Sequence, residues 1–273
     1  MKIPDLVTAT EKRDAAYEIK FVVPTSVAEA ALVWARSHMA PDPHASNTDG
    51  DGYRVNSLYF DTPRLDVYQR NGSYGKSKYR VRRYGTESTI FLERKLKSRG
   101  LVSKRRTRIA EDELSRLARV ELEPGWIGYW FRRRLVARQL EPRCQICYDR
   151  VARVGMMPEG PIRLTVDRNV RAFVTGEYQV AEMASWMPLL PDRCILELKF
   201  RQEMPPLFKS LLQALSLAPQ PVSKYRLSVQ AFGLAPEANA AQPAAHNGHV
   251  TADELLTNHQ PVTLQPAAPA REA

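Results

Sequence analysis

The sequence predicts an α+β fold: an antiparallel sheet closed into a β-barrel, with a polar, charged interior and helices packed against its outside. Three observations lead there. Separate stretches of the chain alternate charged and apolar residues with a period of two, as strands with one polar and one apolar face do. The polar faces mix acids with bases: Glu18 with Lys20, Glu93 with Lys95, Arg163 with Asp167, and Glu197 with Lys199. Between them lie amphipathic stretches of helical period. Any one such strand could turn its charges to water in an open sheet. Recurrence of the mixed pattern along the whole chain argues for a shared polar interior instead.

Taken in order, residues 1–14 read as a loose lead-in. Residues 17–23 alternate Tyr17, Ile19, Phe21 and Val23 against Glu18 and Lys20, which predicts a first strand. Pro24, Thr25 and Ser26 offer helix-start chemistry before an alanine-rich amphipathic helix over 27–39. Pro, Asp, Asn and Gly make 41–52 a loop. A strand over 53–60 ends at Asp61, Thr62 and Pro63, and a short helix over 64–69 follows. The stretch 77–108 holds two strands and the start of a third. Their charged faces carry Lys78, Arg80 and Arg82; then, past the turn at Gly85, Glu93, Lys95 and Lys97; then Lys104 and Arg106.

Helices are expected over 111–120 and 128–140, and a strand over 144–154 with Arg150 near its end. Residues 161–173 alternate most clearly. Arg163, Thr165, Asp167, Asn169 and Arg171 share one face, and Ile162, Leu164, Val166 and Val170 the other. In 194–200, Glu197 and Lys199 oppose Leu196, Leu198 and Phe200. An amphipathic helix follows over 205–217, and 222–227 reads as strand or helix. Past Leu234 the composition shifts to Ala, Pro, Asn, Gln and His, so 235–273 is expected to be a disordered tail with at most a transient helical turn over 252–257. The folded domain is expected over 15–234.

With 273 residues, 44% of them hydrophobic, the chain can bury a full core. No apolar run approaches the ~20 residues of a membrane helix, and the N-terminus lacks a signal-peptide core. The expectation is a cytoplasmic protein without a membrane span. A net charge of +10 favours anionic partners. Cys144, Cys147 and Cys194 suit a reducing compartment. Cys144 and Cys147 form half a zinc motif whose other half is missing, and the five histidines show no ligand spacing, so small buried strand cysteines are expected.

A closed, charge-lined interior poses an energetic problem. Two like charges 4 Å apart repel by about 4 kcal/mol at an effective dielectric near 20. Lys20, Arg80, Arg82, Lys95, Lys104 and Lys199 therefore need a compensating anion, and the interspersed glutamates supply only part of it. A ligand with several negative charges in a row, such as a polyphosphate, supplies the rest. Arginine offers phosphate a planar fork and lysine a mobile point charge. Surplus carboxylates such as Glu197 suit a divalent cation, which prefers hard oxygen ligands. A nucleic-acid groove is not expected, because the basic positions share their faces with glutamates.

Several motifs together carry a family resemblance. They are Tyr-Glu-Ile-Lys-Phe (17–21), Ser-Leu-Tyr-Phe-Asp-Thr (57–62), Lys-Tyr-Arg-Val-Arg-Arg-Tyr-Gly (78–85), Phe-Leu-Glu-Arg-Lys (91–95) and Val-Ser-Lys-Arg-Arg (102–106). Cys-Tyr-Asp-Arg (147–150), Cys-Ile-Leu-Glu-Leu-Lys-Phe (194–200) and Val-Ser-Lys-Tyr (222–225) complete the set. In this order and spacing, from about Tyr17 to Phe232, the sequence resembles the polyphosphate-polymerase domain of the vacuolar transporter chaperone (VTC) family. That family belongs to the triphosphate tunnel metalloenzymes, with the CYTH-type triphosphatases. The resemblance implies a tunnel of about eight antiparallel strands. It also implies phosphate contacts at Lys20, Arg80, Arg82, Lys95, Lys104, Arg150 and Lys224, and a metal-binding glutamate at Glu197 for Mn2+ or Mg2+. Arg163 and Lys199, on the same polar faces, are further substrate-binding candidates, and Glu18 and Glu93 further metal-side candidates.

The implied reaction moves the γ-phosphoryl of ATP onto a growing inorganic polyphosphate chain, with export left to a separate membrane protein. Such a transfer relies on positioning and charge neutralisation, and the sequence carries no Ser-His or Cys-His nucleophile motif. A triphosphatase acting on ATP, triphosphate or polyphosphate, and a non-catalytic polyphosphate- or nucleotide-binding module, are the alternatives. Two positions depart from the wider pattern. Ala16 stands where the superfamily opens with glutamate, and Pro221 where the polymerases carry a further lysine.

Overall fold

Every long strand finds two neighbours, and the last pairing returns to the first. The structure, a computed structural model, describes residues 11–45, 51–98, 101–182 and 185–235, with the backbone alone at 11–15 and 44. All of these fall in the first of two compact units, Met1–Ala238. The strands are β1 (Glu11–Pro24), β2 (Ala40–Pro41), β3 (Gly52–Asp61), β4 (Ser77–Tyr84), β5 (Thr89–Ser98), β6 (Leu101–Ala110), β7 (Glu141–Met157), β8 (Gly160–Val174), β9 (Met187–Pro188) and β10 (Arg193–Phe200). The helices are α1 (Thr25–His38), α2 (Asp66–Gln69), α3 (Tyr129–Ala137), α4 (Pro206–Ala214) and α5 (Lys224–Ala231). Pairing runs β7-β3-β4-β5-β6-β1-β10-β8, and β8 pairs back onto β7 to close a ring of eight antiparallel strands. The two-residue β2 and β9 add to β7 and β8.

Register decides which side chains share the inside of that ring. Lys78 lies opposite Lys95, and Lys95 opposite Lys104; Arg80 lies opposite Glu93, and Glu93 opposite Arg106. Across the far side, Glu18 pairs with Lys199, Lys20 with Glu197, and Arg150 with Asp167. Because side chains alternate, these cross-strand sets all point inward and the intervening residues point out. The outward residues make the core. Phe21, Val23, Leu164, Val166, Leu196 and Leu198 bury against Ala28, Leu32 and Ala35 of α1 and Phe208 and Leu211 of α4. Leu58, Phe60, Val81 and Leu92 bury in a second cluster with Phe131 and Leu135 of α3. Each such side chain contributes roughly 1.5–3 kcal/mol, so apolar packing outside the ring offsets the cost of charge within it.

Several expectations are corrected in detail. β1 begins at Glu11, inside the stretch read as lead-in; residues 1–10 and 236–273, the latter spanning the expected tail from its second residue on, lie outside the described residues. The helix expected over 111–120 is a 3-10 turn, Asp112–Leu117. Its buried residues Leu114 and Leu117 are three apart, which suits a period of three. The ambiguous 222–227 resolves as the start of α5, whose N-cap Ser223 accepts from the backbone N–H of Arg226.

In β8 the predicted common face does not run its full length. Asn169 adopts φ 50°, and the register against β7 shifts between Cys147 and Asp149. One extra residue reverses the alternation. Arg171 therefore stacks outward over Trp186, while Ala172 pairs with Ile146. Cys144, Cys147 and Cys194 are free and buried as expected. Three residues apart on one strand, Cys144 and Cys147 point to opposite faces and cannot share a metal. Among the described residues, no helix is long and apolar enough to cross a membrane.

Candidate functional site

The inward faces gather into three carboxylate-centred groups. At the first, Glu93 of β5 is fully buried. It accepts from Arg80 Nε at 2.7 Å and Nη2 at 2.6 Å, and its other oxygen accepts from Lys104 Nζ at 2.8 Å. Burial opposes the charge of Glu93, but Arg80, Lys104 and Arg82 outweigh it and hold the carboxyl well below the usual carboxylate range. Arg80 also donates to the Tyr59 hydroxyl at 3.2 Å. Arg82 donates to Ser57 Oγ at 3.0 Å and to the Tyr148 hydroxyl at 2.8 Å.

The second group is built by α5. Asp167 of β8, fully buried, takes a two-pronged bond from Arg150, Nε at 2.6 Å and Nη2 at 2.8 Å, and a third from Lys224 Nζ at 2.5 Å. Lys224 Nζ sits 4.4 Å from the centroid of the Tyr148 ring. The residue before it, Ser223, accepts from Lys78 of β4 at 2.8 Å. Tyr225, the residue after, donates to Asp61 at 2.6 Å and stacks on Tyr59 with centroids 5.6 Å apart. The first turn of α5 thus reaches both β4 and β8, which are not neighbours in the ring.

The third group lies on β1 and β10. Lys20 Nζ is 3.4 Å from Glu197, Lys199 Nζ is 3.6 Å from Glu18, and Lys95 closes on Glu18 from β5. Burial and the nearby Glu197 both raise the Glu18 carboxyl, yet Lys95, Lys20 and Lys199 together hold it below its ordinary value. Protein surrounds these groups. Even so, 25% of the Lys20 side chain, 27% of Lys95 and 30% of Lys199 remain open to water. A side chain enclosed by a ring and still wetted faces a lumen.

Cations outnumber carboxylates in that lumen. Among the described residues, neither Arg82 nor Lys78 has a carboxylate within ion-pair distance; their partners are hydroxyls. Burial lowers the Lys104 ammonium to about 8 despite Glu93. At Tyr84, burial pulls upward, but Arg82, Lys104 and Arg80 together bring the phenol down to about 8. Such a site should bind polyanions, and binding should stabilise the fold. At a hundred times its Kd, tripolyphosphate is expected to add about 2.7 kcal/mol of stability, read as a rise in Tm that shrinks with added salt. A Tm indifferent to tripolyphosphate would count against the site.

The ring brings Lys20, Arg80, Arg82, Lys95, Lys104, Arg150, Lys199, Lys224, Glu18, Glu93 and Glu197 to one interior. Arg163 reaches it in part, bound to Asp42 at 2.7 Å and to the Tyr53 hydroxyl at 3.0 Å. The sequence set Asp167 on one face with Arg163; Asp167 holds Arg150 and Lys224 instead. Sequence reasoning passed over Ser57, Tyr59 and Tyr148. Each lies on the same alternation as its charged neighbours across the ring, a signal masked because strand tyrosines read as core.

For a divalent cation, the fitting residues are Glu18 and Glu197. They are close enough on adjacent strands for each to feel the other's charge. Two carboxylates with phosphate oxygens and water make a hard-oxygen set suited to Mn2+ or Mg2+. Glu93 fits poorly, since none of it is exposed and Arg80 and Lys104 hold its two oxygens at 2.6 and 2.8 Å, whereas Lys199 meets Glu18 only at 3.6 Å and part of Glu18 stays open to water. No cluster of three or more His, Cys, Asp or Glu that could hold a metal occurs among the described residues.

Comparison with known proteins gives three findings. The VTC domain family matches residues 15–232. No curated protein sequence matches the chain. Among solved structures, a protein from Bacillus halodurans named provisionally as an adenylate cyclase is similar, at 15% identity and TM-score 0.50, over 81% of this chain and 98% of its own. A cyclase-like protein from Hippeastrum, described as having a dominant triphosphatase activity, gives 18% identity and TM-score 0.43, over 80% and 96%.

Proposed function

The chain belongs to the VTC domain family, and from that premise we propose that it is a metal-dependent polyphosphate polymerase, moving the γ-phosphoryl of ATP onto an inorganic polyphosphate chain inside the ring. The observation that carries this reading is the balance of charge in the lumen. Arginines and lysines converge from separate strands and α5, and the inward carboxylates Glu18, Glu93, Asp167 and Glu197 are each tied to at least one of them. Carboxylates held this far toward the ionised form are weak bases and poor activators of water. A phosphate acceptor is already an anionic nucleophile and needs no base, so transfer suits the site better than hydrolysis.

In this reading Arg80 and Arg82 grip the transferring phosphates, with Tyr59 and Tyr148 fixing their planes. Lys20, Lys95 and Lys104 neutralise charge along the chain, Lys199 lines the lumen, and Arg150, Arg163 and Lys224 hold the flanking phosphates. Glu93 and Asp167 are positioning residues that set the cations in place. Glu18 and Glu197 would hold the divalent cation, which when bound neutralises the phosphate oxygens at the point of transfer. Preorganised cations facing developing negative charge provide most of the acceleration such a reaction requires.

Incubation of the purified protein with ATP and Mn2+ tests the reading. The expected products are ADP and long polyphosphate chains. Orthophosphate as the only phosphorus product besides ADP would assign a triphosphatase, and no turnover with retained binding would assign a binding module. Glu197→Gln is expected to cut turnover while leaving tripolyphosphate binding without metal nearly unchanged. Wild-type turnover in that variant would remove Glu197 from the metal site.

A further inference from the structure

Lys78 is an inward lysine that this reading leaves without a task. It begins the row on β4 that continues through Arg80 and Arg82, and its cross-strand partners are themselves lysines: Lys95 opposite, and Lys104 opposite Lys95. Like charges placed directly opposite one another destabilise a sheet. Lys95 and Lys104 are relieved by Glu18 and Glu93. Lys78 is not; the bond it makes is to Ser223 Oγ at 2.8 Å. The groups facing it are Lys20 of β1, Lys95 of β5, Arg70 after α2, and Arg226 and Ser223 of α5, with Glu18 and Glu197 already engaged by Lys95 and Lys20. Arg226 turns its guanidinium onto the Tyr68 ring and carbonyl, which are neutral.

We infer that Lys78, Lys95 and Ser223 form a separate phosphate subsite at the α5 end of β4, occupied by the polyphosphate chain and not by the ATP triphosphate. The inference rests on the tunnel reading above. Four residues along β4 separate Lys78 from Arg82, about 13 Å, so a chain gripped by the arginines extends to Lys78 with its remaining phosphates. A phosphate there supplies the counter-charge that the protein withholds, and Ser223 Oγ can turn its proton toward it. Burial, reinforced by Lys20 and Lys95, brings the Lys78 ammonium down to about 7. Its charge is therefore half lost near pH 7, more complete below and fading above, and a bound anion favours the protonated form.

Isothermal titration calorimetry with short-chain inorganic polyphosphate and with ATP, on wild type, Lys78→Met and Lys78→Arg, tests this. Lys78→Met is expected to lose about tenfold to a hundredfold in polyphosphate affinity and to bind ATP close to wild type. Lys78→Arg, always charged, is expected to keep polyphosphate affinity at pH 7 and to lose less of it than wild type between pH 7 and pH 9. An Lys78→Met protein that binds polyphosphate like wild type, or weakens on ATP equally, overturns the subsite. So does a Lys78→Arg pH profile parallel to wild type. Failure of wild type to bind polyphosphate at all overturns the tunnel reading and the subsite with it.

Discussion

Arg82→Ala is expected to lose phosphate transfer and keep its fold, whereas Arg80→Ala is expected to lose both. The two guanidiniums lie two residues apart on the same face of β4, yet their partners differ in kind. Arg82 is 3% exposed and bonds to the hydroxyls of Ser57 and Tyr148. Those groups are neutral and satisfiable by water, so alanine there removes an uncompensated cation at little cost to folding. What it removes from the bound state is a charge-assisted contact to phosphate, worth about 3 kcal/mol, or roughly a hundredfold in kcat/KM. Arg80 holds Glu93, which has no exposed surface. Truncating it leaves that carboxylate to Lys104 alone, and breaking a buried ion pair from one side costs about 3–5 kcal/mol. Thermal melts by circular dichroism and phosphate-transfer rates on both variants separate the effects. An Arg82→Ala enzyme at wild-type rate would refute the assignment of the β4 arginines.

These differences mark how far the site was legible in the sequence. Period-two alternation is a local property, so the inward sets Lys78–Arg80–Arg82, Glu93–Lys95, Lys104–Arg106 and Glu197–Lys199 could be read one strand at a time. Partnership is not local. That Glu93 receives Arg80 and Lys104 follows from the registers of β4 and β6 against β5, which hairpin geometry sets and composition does not reveal. The same reasoning explains Asp167. On its own strand Arg163 was its apparent partner, but the β7–β8 register sets it beside Arg150, and Lys224 arrives from a segment 57 residues on. The bulge at Asn169 hid a reversal of face that a strict period cannot contain. Tyr59 and Tyr148 escaped notice because a tyrosine on a strand signals packing, and their hydroxyls acquire meaning once arginines lie across from them. The short stretch opening α5 carried too few residues to distinguish a period of two from one of 3.6.

Asp167→Asn is expected to lose about 3–5 kcal/mol of stability at pH 7. Arg150 and Lys224 would remain side by side, buried, with one amide oxygen in place of a carboxylate that accepts three bonds. The pH dependence follows with a definite sign. Burial alone would raise the Asp167 carboxyl, but Arg150 and Lys224 pull it well below its ordinary value near 3.8. A carboxylate whose folded pKa is depressed stabilises the fold in full above the unfolded pKa, and that contribution is lost as pH falls toward the folded one. Urea melts should therefore show a wide gap between wild type and Asp167→Asn at pH 7 that narrows steadily below about pH 4. Tripolyphosphate should restore part of the variant's stability at pH 7, because its oxygens can take the place of the missing carboxylate before Arg150 and Lys224. A gap that stays constant into acid would mean that shape at position 167, and not its charge, holds the first turn of α5 against the ring.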